Sequence, residues 1–416
     1  MSFHPQQIAG KNAEKTKLHN RRVVLGYLWG RSAGRAEIAR ASGLSTQTVS
    51  NLVAELEAEG LVVPAGRRAS ARGQPPVLYA FNPSGAAAFG FEVRPDTLTM
   101  VLTDIGGRAL TSRQIRLTQT DPATVLAQMA ALAQDATAQT KTTRILGAGL
   151  VIPGPFGVEG LSVAGATALP GWDPAKIPAM AQAALGLPVH IDKDATAAAL
   201  AEGMGGAAQG LSSYAFLYFG SGLGLGVVVQ DHPLRGAFGN AGEVGHVIIH
   251  PGGLPCDCGN SGCLEQYVSR VSVQRHLIAR GHLPPDTTGT DATLIRLLAA
   301  QDPDLLVWLG IAAEALSRAI GMLENLFDPQ CTLLGGALPD ALIDQLIARL
   351  SLPPGSVARR ADRSRPRVAR GTSGRLTAAL GAAALVIHDI VTPRLEAHKH
   401  NSAPPDTLRM ETPQCP

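Results

Sequence analysis

Apolar residues recur along the chain with two periods, one of about 3.6 residues and one of two, and the changes between them mark its elements. From His19, the residues Val24, Leu25 and Leu28 fall on one helical face. Ile38 and Ala39 mark a short helix over 35–42, and Val49, Leu52, Val53 and Leu56 a third over 46–59. Strands are predicted next at 61–63, 77–81, 86–91 and 98–103, with a further one running to Leu117. A helix at 121–139, a strand at 145–152, a helix at 174–185, a strand at 188–191 and an alanine-packed helix at 195–204 then alternate. The same order repeats. Strands at 214–219 and 227–230 lead into a mainly helical region over 266–325, a buried strand at 331–334 and an Ala-rich helix at 376–388. Hairpins followed by alternating strands and helices, twice over, predict α/β lobes behind a helical head.

Within the head, Ala39, Gly43, Val49 and Leu52 stand where a helix-turn-helix needs them. The alanine is small at the crossing, the glycine permits the turn, Ser45 caps the next helix, and the two apolar residues lock it down. The outward residues of that helix, Thr46, Gln47, Thr48, Ser50 and Asn51, are short, uncharged hydrogen-bonding groups of the kind that read base edges. A basic loop over 66–76, with Arg67, Arg68 and Arg72, joins the strands at 61–63 and 77–81 into a two-stranded wing. Charge agrees with this reading: residues 1–82 hold 11 Lys and Arg against 5 Asp and Glu, the rest 25 against 28. A basic head on a slightly acidic body predicts that the head meets double-stranded DNA.

The 416 residues, 45% apolar and 17% charged, suit a packed protein of several domains. We expect a flexible arm over 1–18, the winged helix over 19–82 and a first lobe over 83–200, completed by 381–392. A second lobe is expected over 201–380 and a frayed tail over 393–416. No apolar run is read as long enough to span a bilayer, and the polar N-terminus carries no secretory signal, so a cytoplasmic location with reduced cysteines is expected.

Three of five cysteines, Cys256, Cys258 and Cys263, fall within the run C-D-C-G-N-S-G-C, where Gly259 and Gly262 allow sharp turns. With His246 they make a Cys3His set suited to a structural zinc ion; His250 is a rival fourth ligand on spacing. A disulfide is the alternative, but three local thiols leave one odd.

Taken in order, these segments resemble the ROK proteins (repressor, open reading frame, kinase), from His19 to about Ile390. The likeness rests on the winged helix, A-G-L-V-I-P-G-P-F-G at 148–157, L-P-G-W at 169–172, the stretch 187–202, the glycine-rich 220–226, G-E-V-G-H at 242–246 and the cysteine loop through Glu265. The head places the chain beside the family's xylose and N-acetylglucosamine repressors, whereas headless members are sugar kinases. The resemblance implies a two-lobed sugar kinase/actin-like (ribonuclease H-like) fold, a homodimer or higher homo-oligomer, and a sugar in the cleft. That sugar would be held by Gly154, Lys193, Asp194, Glu243, His246 and Glu265. It further implies that His246 serves both zinc and sugar, and that Asp194 matches the kinases' general base.

Departures from the family pattern point away from phosphotransfer. Where kinases open with Asp-x-Gly-Gly-Thr, this chain has F-E-V-R-P-D at 91–96, with no glycine to let the backbone approach a phosphate. The second glycine turn, 220–226, is retained. Lys193 and Ala168 replace two amide contacts. Two expectations follow: an acidic or phosphorylated sugar paired with Lys193, or a Lys193 that bridges Asp194. The function expected is a DNA-binding regulator of carbohydrate genes, most simply a repressor, with a sugar kinase as the competing reading.

Overall fold

The head consists of α1 (Ala13–Leu28), β1 (Ser32–Gly34), α2 (Arg35–Ser42), α3 (Thr46–Ala58), β2 (Val62–Arg67) and β3 (Val77–Phe81). The computed structural model describes residues 13–67, 76–140, 144–158, 169–173, 175–220, 222–285, 290–371 and 374–393. Gly43 closes α2 in the left-handed region, and the Ser45 hydroxyl accepts from the Thr48 N–H at 3.1 Å, so the turn is built as its residues require. β1 pairs with β3 and makes the sheet three-stranded, where two strands are expected. α1 begins at Ala13, ahead of the helix expected from His19, while the rest of the arm expected over 1–18 lies outside the described residues. The first residues of α1 show no apolar stripe. Lys17 pairs instead with Glu55 at 2.9 Å, and Arg21 with Glu59 at 2.6 Å.

The first lobe carries β4 (Ala87–Val93), β5 (Thr97–Asp104), β6 (Ala109–Arg116), α4 (Pro122–Thr140), β7 (Ile145–Ile152), α5 (Ile177–Leu185) and β8 (Val189–Lys193), followed by α6 (Asp194–Gly205). The second carries β9 (Tyr214–Phe219), β10 (Leu223–Val229), β11 (His232–Pro233), α7 (Glu265–Val268), α8 (Arg270–Ala279), α9 (Asp291–Ala299) and α10 (Pro303–Phe327). β12 (Thr332–Gly336), α11 (Asp340–Arg349), β13 (Val368–Arg370) and α12 (Thr377–Val391) complete the described chain. The sheets run β6-β5-β4-β7-β8 and β11-β10-β9-β12-β13, the same order twice. In each, an antiparallel hairpin leads into parallel strands.

α6 and α12 lie between the two sheets, α6 against β9 and β10, α12 against β4 and β7, and both against each other. A Cβ at Gly149 would overlap the Ala382 carbonyl, and one at Gly381 the Ala197 backbone, so α12 meets β7 on one side and α6 on the other backbone to backbone. α6 crosses the expected boundary at residue 200, and α12, expected over 376–388, runs from Thr377 to Val391. The glycine run at 220–226 needs correcting too. β10 already begins at Leu223, and a Cβ at Gly226 would overlap the Ala195 carbonyl. Its later glycines lie in β10 and make room for α6.

By length and composition, α10 could cross a membrane, contrary to the expectation that no stretch could. Its inner face (Leu305, Trp308, Leu309, Leu316, Ile320 and Leu323) is instead buried in the second lobe's core.

Candidate ligand cleft and metal site

The C-terminal ends of β7, β8 and β9 open into a cleft between the lobes, closed from the other side by α8 and the cysteine loop. Gly154, Lys193, Asp194, Glu243, His246 and Glu265 all line it, so residues more than a hundred positions apart in sequence converge on one cavity. Arg94, Tyr218, Asp257 and Arg275 line it as well.

Lys193 does not bridge Asp194. Its ammonium donates to Glu243 Oε1 and to the Ala241 carbonyl, each at 2.7 Å, and its side chain is 4% exposed. β8 delivers the lysine from the first lobe and the loop after β11 delivers the glutamate from the second, so the pair ties the lobes together at the cleft floor. Gly154 lies against it, since a Cβ there would come within 2.7 Å of both Glu243 Oε1 and Lys193 Cδ. Further bonds cross the cleft: Arg235 Nε donates to Asp192 Oδ2 at 2.7 Å, and the Asn240 amide holds the Phe156 backbone at 2.7 and 2.8 Å.

Asp194 is the first residue of α6, and its Oδ1 accepts from the Ala195 N–H at 2.7 Å. Burial pushes its pKa up to about 7, and the Glu92 carboxylate adds to the rise. Glu92 is buried on β4 and is itself pushed up by burial, against the pull of Arg94. The Arg94 guanidinium holds Glu92 Oε1 at 2.6 Å and reaches across to the Tyr218 hydroxyl at 3.0 Å. Sequence reading named Arg94 only as part of a missing glycine loop. Its signal was Glu92 two residues earlier, on the same face of a strand that is otherwise apolar, because a buried carboxylate calls for a cation nearby.

His246 Nδ1 lies 3.6 Å from Cys256 Sγ, and Cys258 Sγ 3.5 Å from Cys263 Sγ. The four donor atoms all lie within 4.8 Å of one another. Donors about 2.0–2.3 Å from one centre at tetrahedral angles stand roughly 3.3–3.8 Å apart, so the set fits a metal ion. The sulfurs are too far apart for a disulfide, whose length is about 2.05 Å, and the described cysteines are free. His250 is not part of the set. Its ring packs edge-on against Tyr267 at 4.6 Å, and its Nδ1 meets Arg318 at 3.3 Å. Glu265 Oε1 sits 3.4 Å from Cys256 Sγ and 3.7 Å from His246 Nδ1, so this carboxylate faces both the cleft and the metal loop.

On the head, Thr46, Gln47 and Asn51 are exposed, with Gln47 donating to Asn51 at 3.0 Å. Ser50 is half-buried, and Thr48 bonds the capping Ser45 hydroxyl at 2.8 Å. Arg67 is exposed at the end of β2; Arg68, Arg72 and Ala168 lie outside the described residues.

The ROK family model matches residues 89–389, which span both lobes and the cysteine loop. The chain belongs to the ROK family. The xylose repressor of Caldicellulosiruptor bescii is 30% identical over 313 residues, covering 72% of this chain and 78% of that one. A crystal structure of a ROK family transcriptional regulator, a homolog of the E. coli MLC protein, superposes with a TM-score of 0.70 at 24% identity. That match covers 90% of this chain and 98% of the other. The ROK hexokinase of Thermus thermophilus superposes at 0.57 with 30% identity over 72% of this chain and 97% of its own. The lobes of this ROK protein thus have the sugar kinase/actin-like fold, and the likeness to the regulator extends into the head.

Proposed function

We propose that this ROK protein is a DNA-binding transcriptional regulator of carbohydrate genes, a repressor, released or engaged by a sugar in the lobe cleft. The observation that carries the reading is a pairing of opposites in one chain. A head with an exposed, uncharged polar helix face sits on a cleft whose first strand ends in the Glu92–Arg94 ion pair instead of open glycines. Phosphoryl transfer depends on seating a nucleotide, and a guanidinium already bonded to Glu92 and Tyr218 supplies no backbone cradle for one. The relatives named xylose repressors support the same side of the choice.

In this reading α3 enters the major groove with Thr46, Gln47, Ser50 and Asn51 toward base edges, and Thr48 steadies its cap. Arg67, Arg68 and Arg72 meet phosphates or the minor groove. Asp194, Glu243, His246 and Glu265 accept from or donate to sugar hydroxyls, with Lys193 and Gly154 beneath them. Because Glu243 already neutralises Lys193, the effector is a neutral sugar rather than an acidic or phosphorylated one. Zinc is the metal that His246, Cys256, Cys258 and Cys263 would hold, and it would fix the loop that presents His246 and Glu265 to the cleft. The protein acts as a homodimer, matching two half-sites.

A route from cleft to head is built into the fold. Asp194 opens α6, α6 packs along α12, and the last turn of α12 meets α1. There Arg22 donates to the Asp389 backbone and pairs with its carboxylate at 2.9 Å.

Footprinting on DNA flanking the gene, with and without a panel of neutral and phosphorylated sugars, tests the proposal. A protected site that a neutral sugar alters is the expected result. No protected site under any condition would sink it, and sugar-dependent ADP release lost in Asp194→Asn would replace it with the kinase reading. His246→Ala should lose bound zinc, by elemental analysis, and sugar response together.

A further inference from the structure

The head and the cleft occupy opposite ends of the lobes. Ala86 and Ala88 at the start of β4, Ile105 after β5, and Val386, Ile387 and Val391 late in α12 share one core with the head. The cleft opens at the other ends of the same strands. At the head's end of the second lobe, the loop between α11 and β13 concentrates positive charge. Residues 83–416 are slightly acidic, yet six of their 25 Lys and Arg fall within the twelve positions 359–370, against one of their 28 Asp and Glu. The Thr332 N–H, at the start of β12, donates to the Arg367 carbonyl at 2.9 Å, which fixes this loop at the end away from the cleft.

Three of these arginines hold the fold. Arg367 binds the buried Glu324 at 2.5 and 2.8 Å, Arg370 binds Asp344 at 2.8 Å, and Arg363 donates to the Gln330 carbonyl at 2.5 Å. The other three, Arg359, Arg360 and Arg365, are exposed. Arg360 meets Asp362 at 3.1 Å, a pair so open to solvent that it holds little. Among the described residues, Arg359 and Arg365 have no carboxylate partner. Their position continues the head's surface. Arg365 donates to the Gln209 carbonyl at 3.4 Å, just past the end of α6. Met204, Gly205 and Gly206 at that end share a cavity with Gly107 in the β5–β6 turn. The same turn lies on the head's junction, since a Cβ at Gly106 would come within 2.8 Å of the Pro83 ring. Arg108, exposed on the turn although paired with Asp104, stands between the two. Cations therefore run from the junction to the second lobe along one end of the molecule.

We propose that the loop carrying Arg359, Arg360 and Arg365 is a second DNA contact, which grips the phosphate backbone of the duplex beyond the stretch read by the head. A guanidinium fork matches phosphate oxygens, and a spaced set of them matches a line of phosphates. The segment 359–365 forms no helix or strand that could enter a groove, so it adds affinity without sequence preference. It also gives the second lobe, which has no packing contact of its own in the head's core, a hold on the same duplex.

The inference rests on the DNA-binding reading above, but its test separates the two. Binding of the full chain to a long random-sequence duplex is followed by fluorescence anisotropy over a range of salt. Replacing Arg359, Arg360 and Arg365 together by alanine should weaken binding at low salt by about tenfold or more. The slope of log affinity against log salt should become shallower by about two to three, near one for each lost phosphate contact. Should that variant fail to fold, Asp362→Asn serves. It removes the loop's one carboxylate and should tighten binding by about twofold or more, a gain that misfolding does not produce. Unchanged affinity and slope in the variant used overturn the proposal, and a protected operator would leave the regulatory reading standing without it. If no operator is protected but the slope on random duplex still depends on these arginines, the loop binds DNA and the regulatory reading fails alone. Wild-type binding to phosphatidylserine vesicles that the alanine variant loses, with duplex binding unchanged, would assign the loop to a membrane surface and overturn the proposal as well.

Discussion

The two lobes have one strand order and opposite strand ends. In the second, β9 ends at Phe219, and Gly220 just beyond it lines the cleft. In the first, the equivalent β4 ends in a charged plug, Glu92 and Arg94, and the plug reaches across to Tyr218 on β9. The sheets could duplicate because their cores need only apolar volume in the right order. Strand ends carry no such burden and are free to diverge. A glycine end leaves room for a ligand; a buried ion pair fills that room and fastens the lobes together.

The strongest way to break this comparison is Arg94→Ala, which empties the plug but leaves Glu92 buried at 2% exposure. Removing one partner of a buried pair costs about 3 kcal/mol or more. Urea denaturation should show that loss, and Arg94→Ala with Glu92→Gln should recover much of it. If the double variant is no better than the single, burial of the Glu92 charge is not what Arg94 relieves. The same double variant should bind no nucleotide, because the end of β4 and the turn after it, residues 91–96, still hold no glycine.

Legibility in the sequence follows the distance between partners. The cysteine loop was readable because three ligands lie within eight positions, and the helix-turn-helix because its spacing is local. Spacing alone left His250 as a rival to His246, which the family resemblance favoured; the fold separates them, since the His246 ring lies among the sulfurs while the His250 ring packs on Tyr267. Lys193 could be recognised as a cation at the site, but its partner Glu243 stands 50 residues away along the chain. Arg94 and Tyr218 are 124 apart, so no pattern along the chain links them. The early start of β10 was hidden for another reason. Alternating glycine and leucine read equally well as a turn or as a strand pressed against a helix, and only α6 chooses.

A milder test lies between the two strand ends, at Asp194. Its carboxyl titrates near 7 in the fold, against about 3.9 in an unfolded chain. As pH rises from about 4 to 7 the unfolded state therefore gives up its proton first, and stability falls through that window before levelling off. Asp194→Asn removes the decline. Its melting temperature should match the wild type near pH 4 and exceed it near pH 8, by a stability on the order of 2 kcal/mol after allowing for partial solvent access. A variant less stable than wild type at pH 8 would mean that the charged carboxylate is held by Arg94 more firmly than burial opposes it.

Weaker still is the head's attachment to the first lobe. Glu59 accepts from Arg21 at 2.6 Å and pairs with Arg144 at 2.9 Å, and the Arg21 hydrogen bond holds its carboxyl below the usual range. Its contribution is present above the ordinary glutamate pKa of about 4.3 and is lost as pH falls through the lowered value. Glu59→Gln should cost about 1 kcal/mol at neutral pH and nothing in acid, read as faster proteolysis between β3 and β4 with the lobes intact.

The smallest effect on the cleft should come from Tyr218→Phe, which leaves both strand ends in place and removes only the hydroxyl between them. Tyr218 is 2% exposed and its ring stays packed as phenylalanine, so the loss is one acceptor for Arg94 and one hydrogen bond to Glu92, worth about 1 kcal/mol each. Because both bonds span the lobes, the variant separates fastening from filling. If the plug acts mainly by occupying space, Tyr218→Phe should keep wild-type sugar affinity in calorimetry while losing a little stability. If sugar affinity changes by tenfold with so small a change in stability, the bonds of the Tyr218 hydroxyl set how far the lobes open, and the charged end of β4 governs ligand access from the far side of the cleft.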